Sequence, residues 1–288
     1  MKAFIANRHL AELQSLRCQN STSNLAVNYR IPIVTTTPNI FGAVRKEKMA
    51  GAIADFSAFS FHAVKNFTTA EGGALTWKFP FGNENVPTNI DYMPTVPKKE
   101  GETWNEMLYR ISQLFSLNGQ NKDALAKTKV GMWEYDIIGP WYKCNMTDIM
   151  ASLGLVQMRR YPKMLERRLE IVARYNAALD GLNVVILNHK DAEHCSSHHL
   201  YMVRLPGKSR EEVNRVMEQM AERGIATNVH FKPLPMMTAY KALGFNIVDY
   251  PNAYHLFENE ITLPLYTRLT DEEVDYVITN FVDIIKNL

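Results

Sequence analysis

The 288-residue chain is 46% hydrophobic, 10% aromatic and 22% charged, which supports a packed core for one large or two ordinary domains and excludes a disordered chain. Thirty-two basic residues against thirty acidic ones leave a net charge of +2, so nothing in the balance draws the chain to nucleic acid or to a membrane surface. The three cysteines, Cys18, Cys144 and Cys195, are scattered without a C-x-x-C spacing, which argues against a disulfide framework or zinc site and fits a reducing cytoplasm.

The start, "MKAFIANRHLAEL", lacks a signal-peptide core, and no apolar run approaches the roughly 20 residues of a membrane helix. Residues 1–30 are polar, with a weak helix signal around Ala11 to Leu16. "IPIVTTT" at 31–37 reads as a strand, and so do "DFSAFSF" at 55–61 and "GGALTW" at 72–77. Residues 79–102, rich in Pro, Asn and Gly, predict a long loop. Thr103 with Glu106 then forms a capping box ahead of an apolar face made by Trp104, Met107, Leu108, Ile111 and Phe115.

Thr147 predicts the N-cap of a helix running to Tyr161, where Pro162 should break or kink it. A second helix follows, with Leu165, Leu169, Val172, Tyr175 and Leu179 on one face and Gly181 as its stop. From about residue 182 the pattern changes to short units. "VVIL", "HLYMVRL" and "IATNVHF" read as strands, Ser209 with Glu212 caps a helix ending at Gly224, and Thr270 with Glu273 caps the last helix. The expected architecture is a small α+β domain appended to a larger α/β piece, with a boundary between 1–162 and 163–288.

One lysine stands out. In "FSFHAVKNFTTAEGGALTW", residues 59–77, Lys65 follows a run of phenylalanines and precedes the Gly72-Gly73 pair. A lysine in such a turn is ordinarily solvated. Delivered from an apolar strand and partly desolvated, it would instead become a neutral amine able to attack a carbonyl. Ser60, five residues earlier, has a hydroxyl suited to a phosphate oxygen. Serine, lysine and glycines together suit a phosphorylated aldehyde cofactor, pyridoxal phosphate (PLP).

The same segment resembles the lysine segment of the DegT/DnrJ/StrS family of fold-type I PLP aminotransferases, which act on keto-sugar nucleotides. The resemblance continues through "WYKCNMTDIMASLGLVQMRRY", "HHLYMVRL", "GIATNVHFKPLP" and "ITLPLY", in the family's order from Gly42 to the C-terminus. It implies a fold-type I large domain, a mixed and mostly parallel sheet with helices, here partial, plus the small C-terminal α+β domain. It implies Lys65 as the Schiff-base residue and proton shuttle, and Ser60 as a phosphate ligand. In "YKCNMTD", Lys143 and Asn145 are implied to reach the neighbouring subunit's cofactor site in a homodimer; a plain helix-start loop is the other reading.

Among the eight histidines, His199 and His230 match small-domain positions near the sugar-nucleotide site, and a satisfied core or surface histidine is the alternative for each. His62 would line the pocket if its strand is regular. No ligand set for a metal is visible, although His194, His198 and His199 cluster. The pairs Arg159-Arg160 and Arg167-Arg168 read as solvated helix faces or domain-interface charges rather than diphosphate ligands.

Two features depart from the family. Nothing in residues 1–30 supplies a Gly-rich phosphate turn or a ring-stacking aromatic. Aligned through Gly42-Ala43, "TTTPNIFGA" puts Thr36 where the family has the Asp that keeps the pyridine nitrogen protonated, and Asn39 where it has His or Gln. Asn39 could still hydrogen-bond the cofactor. Dense family matches after Gly42 and few before it predict a fragment, with a corrupted reading frame before about residue 42. The resemblance implies transamination of a nucleotide-linked keto-sugar with glutamate as amino donor, for surface polysaccharide or amino-sugar biosynthesis. The competing expectation is a truncated or non-catalytic relative with a regulatory or structural role.

Overall fold

The computed structural model describes residues 34–36, 41–77, 96, 99–121 and 134–288. The helix signal at Ala11 to Leu16, Asn39, Cys18 and most of the 79–102 loop lie outside the described residues. In chain order the described strands are β1 (Val34–Thr36), β2 (Val44–Arg45), β3 (Lys48–Met49), β4 (Phe56–Ser60), β5 (Gly73–Trp77), β6 (Val185–Ile186), β7 (His194–Cys195), β8 (Tyr201–Arg204) and β9 (Glu260–Leu263). The described helices are α1 (Trp104–Ser116), α2 (Asp148–Leu179), α3 (Arg210–Glu222), α4 (Thr238–Ala242), α5 (Pro251–Glu258) and α6 (Asp271–Lys286).

Contacts divide the chain into two compact units, the first made of Met1–Pro38, Gly51–Val64 and Thr68–Leu155. Its sheet has the order β1-β4-β5, with β1 parallel and β5 antiparallel to the central β4. Alternation along β4 buries Ser57 and Phe59 on one face, as a period of two requires. Gly73 is needed where β5 starts: a Cβ there would lie 2.5 Å from the Phe59 carbonyl oxygen. Gly73 therefore serves the close β4–β5 approach. Helix α1 begins on the expected capping box, Thr103 and Glu106 bonding each other's backbone N–H groups. Its Ile111 and Leu114 pack with Val96, Met107, Phe115 and Trp141.

The second unit comprises Asn39–Ala50, Lys65–Phe67 and Val156–Leu288. Here β6-β8-β9 form an antiparallel sheet. Ile261 and Leu263 of β9 and Tyr201 and Val203 of β8 join one core with Ile171, Val172, Tyr175 and Leu179 of α2. Val213, Val216 and Met220 of α3, and Val274, Val277, Phe281 and Ile284 of α6, complete it at helical spacing. Capping boxes at Ser209–Glu212 and Thr270–Glu273 start these two helices as the sequence predicts, and Gly224 and Gly181 follow α3 and α2 with positive φ. A small β3-β2-β7 sheet is also antiparallel.

Two expectations fail. Pro162 neither ends nor splits the helix: α2 runs unbroken from Asp148 to Leu179. Pro162 is exposed, while the preceding Tyr161 is buried edge-on against Phe41 and donates its hydroxyl to the Phe41 carbonyl. Tertiary anchoring outweighs the cost of the proline. "IATNVHF" is not a strand; it makes a single bridge, Asn228 to Thr262, and continues as irregular chain. Its β-branched residues Ile225, Thr227 and Val229 alternate as a strand would require, but only one backbone pair meets β9.

Candidate active site

Lys65 sits half-buried in the turn after β4, followed by the buried Asn66 and Phe67. The Asn66 amide nitrogen donates to the Ser197 carbonyl at 2.6 Å, and its oxygen lies 2.8 Å from His199 Nδ1. From the other side Arg168 of α2 donates to the carbonyls of His198 at 3.0 Å, His199 at 3.3 Å and Leu265 at 3.1 Å. The segment 197–199 is thus pinned by one amide and one guanidinium. Burial pushes the His199 imidazole down to about 4, helped by the charges of Arg168 and Lys65.

A second imidazole belongs to the same group. His230 Nδ1 lies 2.9 Å from Thr262 Oγ1, and its backbone N–H donates to Glu260 at 3.0 Å. The Thr262 hydroxyl donates to the other Glu260 oxygen. Strand parity explains the set: Ile261 and Leu263 face the core, so Glu260 and Thr262 face the opposite side of β9, where both are buried. Burial raises the Glu260 carboxyl above its ordinary range, and burial with the Lys65 charge lowers His230. Lys65 therefore shares its unit with two imidazoles that are neutral at physiological pH.

The other expected site residues fall in the first unit. Ser60 ends β4, half-buried, and its oxygen accepts the His62 N–H at 3.4 Å. His62 is exposed, with Nε2 at 3.6 Å from Glu71. Lys143 bonds the Asn145 side chain in an exposed loop whose backbone pairs with Leu117 and Ser116. Thr36 lies at the end of β1, opposite Ala58. His194 pairs with Asp191 at 2.7 Å, and the buried His198 stacks on His189; the described residues hold no group of three or more metal-ligating side chains.

A family model described as the DegT/DnrJ/EryC1/StrS aminotransferase family matches residues 18–282. The chain belongs to that family. It is 32% identical over 270 residues to the spore coat polysaccharide biosynthesis protein SpsC of Bacillus subtilis, covering 91% of this chain and 62% of SpsC. An uncharacterized protein of Methanocaldococcus jannaschii is 34% identical over 260 residues, 88% of this chain and 60% of its own. Among solved structures, a protein from Streptococcus pneumoniae assigned as a sugar aminotransferase, in its PMP form, shares 48% identity at a TM-score of 0.78. The match covers 96% of this chain and 64% of that one, and the same protein is also solved in PLP and apo forms. The chain thus spans about three-fifths of the length of the curated relatives it matches.

Within this DegT/DnrJ/EryC1/StrS member, four residues around Lys65 escaped the sequence reading. Asn66 was visible as the polar residue after the lysine, but nothing marked it as buried. Glu260 and Thr262 carried a signal, alternation with Ile261 and Leu263 in a strand. Arg168 carried none, and the reading of its arginine pair is corrected: Arg168 is only 8% exposed and bonds three carbonyls. Arg167 beside it reaches Asp271 at 2.8 Å.

Proposed function

We propose that the chain is the lysine-bearing part of a PLP-dependent sugar aminotransferase that uses a nucleotide-linked keto-sugar and an amino acid, glutamate, as donor, in surface polysaccharide or amino-sugar biosynthesis. The observation that carries this is Lys65 grouped with two neutral imidazoles in a member of an aminotransferase family. The PLP and PMP forms of the Streptococcus pneumoniae relative support the choice of cofactor. Two of the residues present, Lys65 and Ser60, fit that group. Lys65 supplies the amine, and the Ser60 oxygen already accepts the His62 N–H, so its own proton is left for a phosphate oxygen.

When bound, PLP supplies the electron sink for transamination. Lys65 would hold the cofactor at its aldehyde carbon and, as a free amine, would move the proton between the cofactor and substrate carbons. Ser60 holds the phosphate; His62, His199, His230 and Asn39 are assigned to the substrate and cofactor side. Lys143 and Asn145 are assigned to a second copy's site in a homodimer, and the small C-terminal domain to residues 163–288. The enzyme works in the cytoplasm, a reading supported by its scattered cysteines, of which Cys144 and Cys195 are free.

Thr36 favours a second reading, a non-catalytic relative, because a neutral side chain at the family's Asp position cannot keep the pyridine nitrogen protonated. Adding PLP to the purified chain separates the two. The expected result is a visible absorption band that Lys65→Ala abolishes. A band surviving in Lys65→Ala overturns the role of Lys65, and no band in the wild type favours the second reading.

A further inference from the structure

The hydrogen bonds around Lys65 carry information about protons. A neutral imidazole has one N–H donor and one lone-pair acceptor, and which nitrogen holds the proton is decided by the partner of the other. The Ser197 carbonyl can only accept, so the Asn66 NH₂ faces it at 2.6 Å and the Asn66 oxygen faces His199 Nδ1 at 2.8 Å. An amide oxygen cannot donate, so Nδ1 of His199 must carry the proton.

The second imidazole meets the same constraint by a different route. The Thr262 hydroxyl has one proton, and it goes to Glu260. Thr262 Oγ1 is then left as acceptor for His230 Nδ1, 2.9 Å away. Glu260 is held in place by the backbone N–H of His230, which donates to its other oxygen at 3.0 Å. Two unrelated acceptors, one an amide and one a hydroxyl oriented by a carboxylate, thus impose one tautomer on both rings.

We propose that Asn66 and the Glu260–Thr262 pair are positioning residues that fix His199 and His230 as Nδ1–H tautomers. The Lys65 site then offers two Nε2 lone pairs, neither with a protein partner among the described residues. Lone pairs accept hydrogen bonds and repel anions. The ligand group they select is a donor, a sugar hydroxyl or a protonated amine, and not a phosphate oxygen. That ligand class deepens the aminotransferase reading and rests on it; the tautomers rest on the hydrogen bonds alone.

The test is long-range ¹H–¹⁵N correlation on the full chain labelled with ¹⁵N-histidine, at pH 7.5, with His199→Asn and His230→Asn used for assignment. Both rings are expected to show a protonated Nδ1 and an unprotonated Nε2. A protonated Nε2 in either ring, or a fast mixture, overturns the proposal. Thr262→Val should turn His230 into a mixture of tautomers while His199 keeps its pattern, and Thr262→Ser should restore the wild-type spectrum. If Thr262→Val does not fold, the wild-type and Thr262→Ser spectra decide alone. For the ligand class, methylammonium should shift the Nε2 resonances and inorganic phosphate should not. A shift with phosphate, or with neither, overturns it. Failure of the PLP band with both tautomers intact would sink the transaminase reading instead.

Discussion

Arg168 is a buried cation that faces backbone carbonyls instead of a carboxylate. Burial lowers its guanidinium to about 10, still charged at neutral pH, and the carbonyls of His198, His199 and Leu265 satisfy its Nη1 hydrogens. Arg168→Met keeps much of the volume but leaves those acceptors without a donor, so it should lower the unfolding free energy by roughly 3 kcal/mol. Denaturant titration checks the size. The same variant should let His199 titrate higher than about 4, because the Arg168 charge helps to depress it; an unmoved His199 would contradict the assignment. None of this was legible in "RRLE", where Arg167 and Arg168 look alike. Their difference is a matter of which side of α2 meets the 197–199 segment, and that comes from tertiary packing. Lys65 was legible because the motif that marks it, from Phe59 to Gly73, is contiguous in the chain.

Elements with local causes read well from the sequence. The capping boxes at Thr103, Ser209 and Thr270 each pair a hydroxyl with a glutamate three residues on, and all three open helices where expected. Thr270→Ala should cost about 1 kcal/mol in thermal or denaturant unfolding, since one helix N–H loses its acceptor. Elements whose causes are distant read poorly. The β-branched character of residues 225–231 suggested a strand, yet pairing depends on what lies beside it, and β9 offers one bridge only. Pro162 suggested a break or a kink, yet Tyr161 is anchored on Phe41 and the helix runs on without a break. Replacing the exposed proline by alanine returns a backbone donor to the ladder and should stabilise the chain, by up to about 3 kcal/mol. A lower midpoint in Pro162→Ala would show that the proline is needed where it stands.

Among the described residues, four histidines are held below their ordinary range, His198 and His199 at about 4 and His189 and His230 also lowered, burial being the first cause for each. The unfolded chain takes up these protons near pH 6.5 and the folded chain resists them, so the unfolded state binds more protons between those values. Stability should be full above pH 6.5 and fall as the pH drops towards 4. Urea midpoints at pH 7.5 and 5 measure this, and a midpoint that holds or rises at pH 5 would contradict it. The burial responsible arises where α2, β8, β9 and the 187–199 segment come together, far apart in sequence. The fold class could be read from motif order, while the protonation states could not.

Strand β9 has a consequence for how errors in folding would show. Its odd and even positions divide two tasks: Ile261 and Leu263 fill the core, while Glu260 and Thr262 orient His230. A slip of one residue against β8 would exchange the two sets, placing a carboxylate in the apolar interior and isoleucine beside the imidazole. A misregistered chain could not be stable and merely inactive, because one alignment serves both purposes. For this reason the His230 proton signal would act as a proofreading mark for the whole C-terminal sheet.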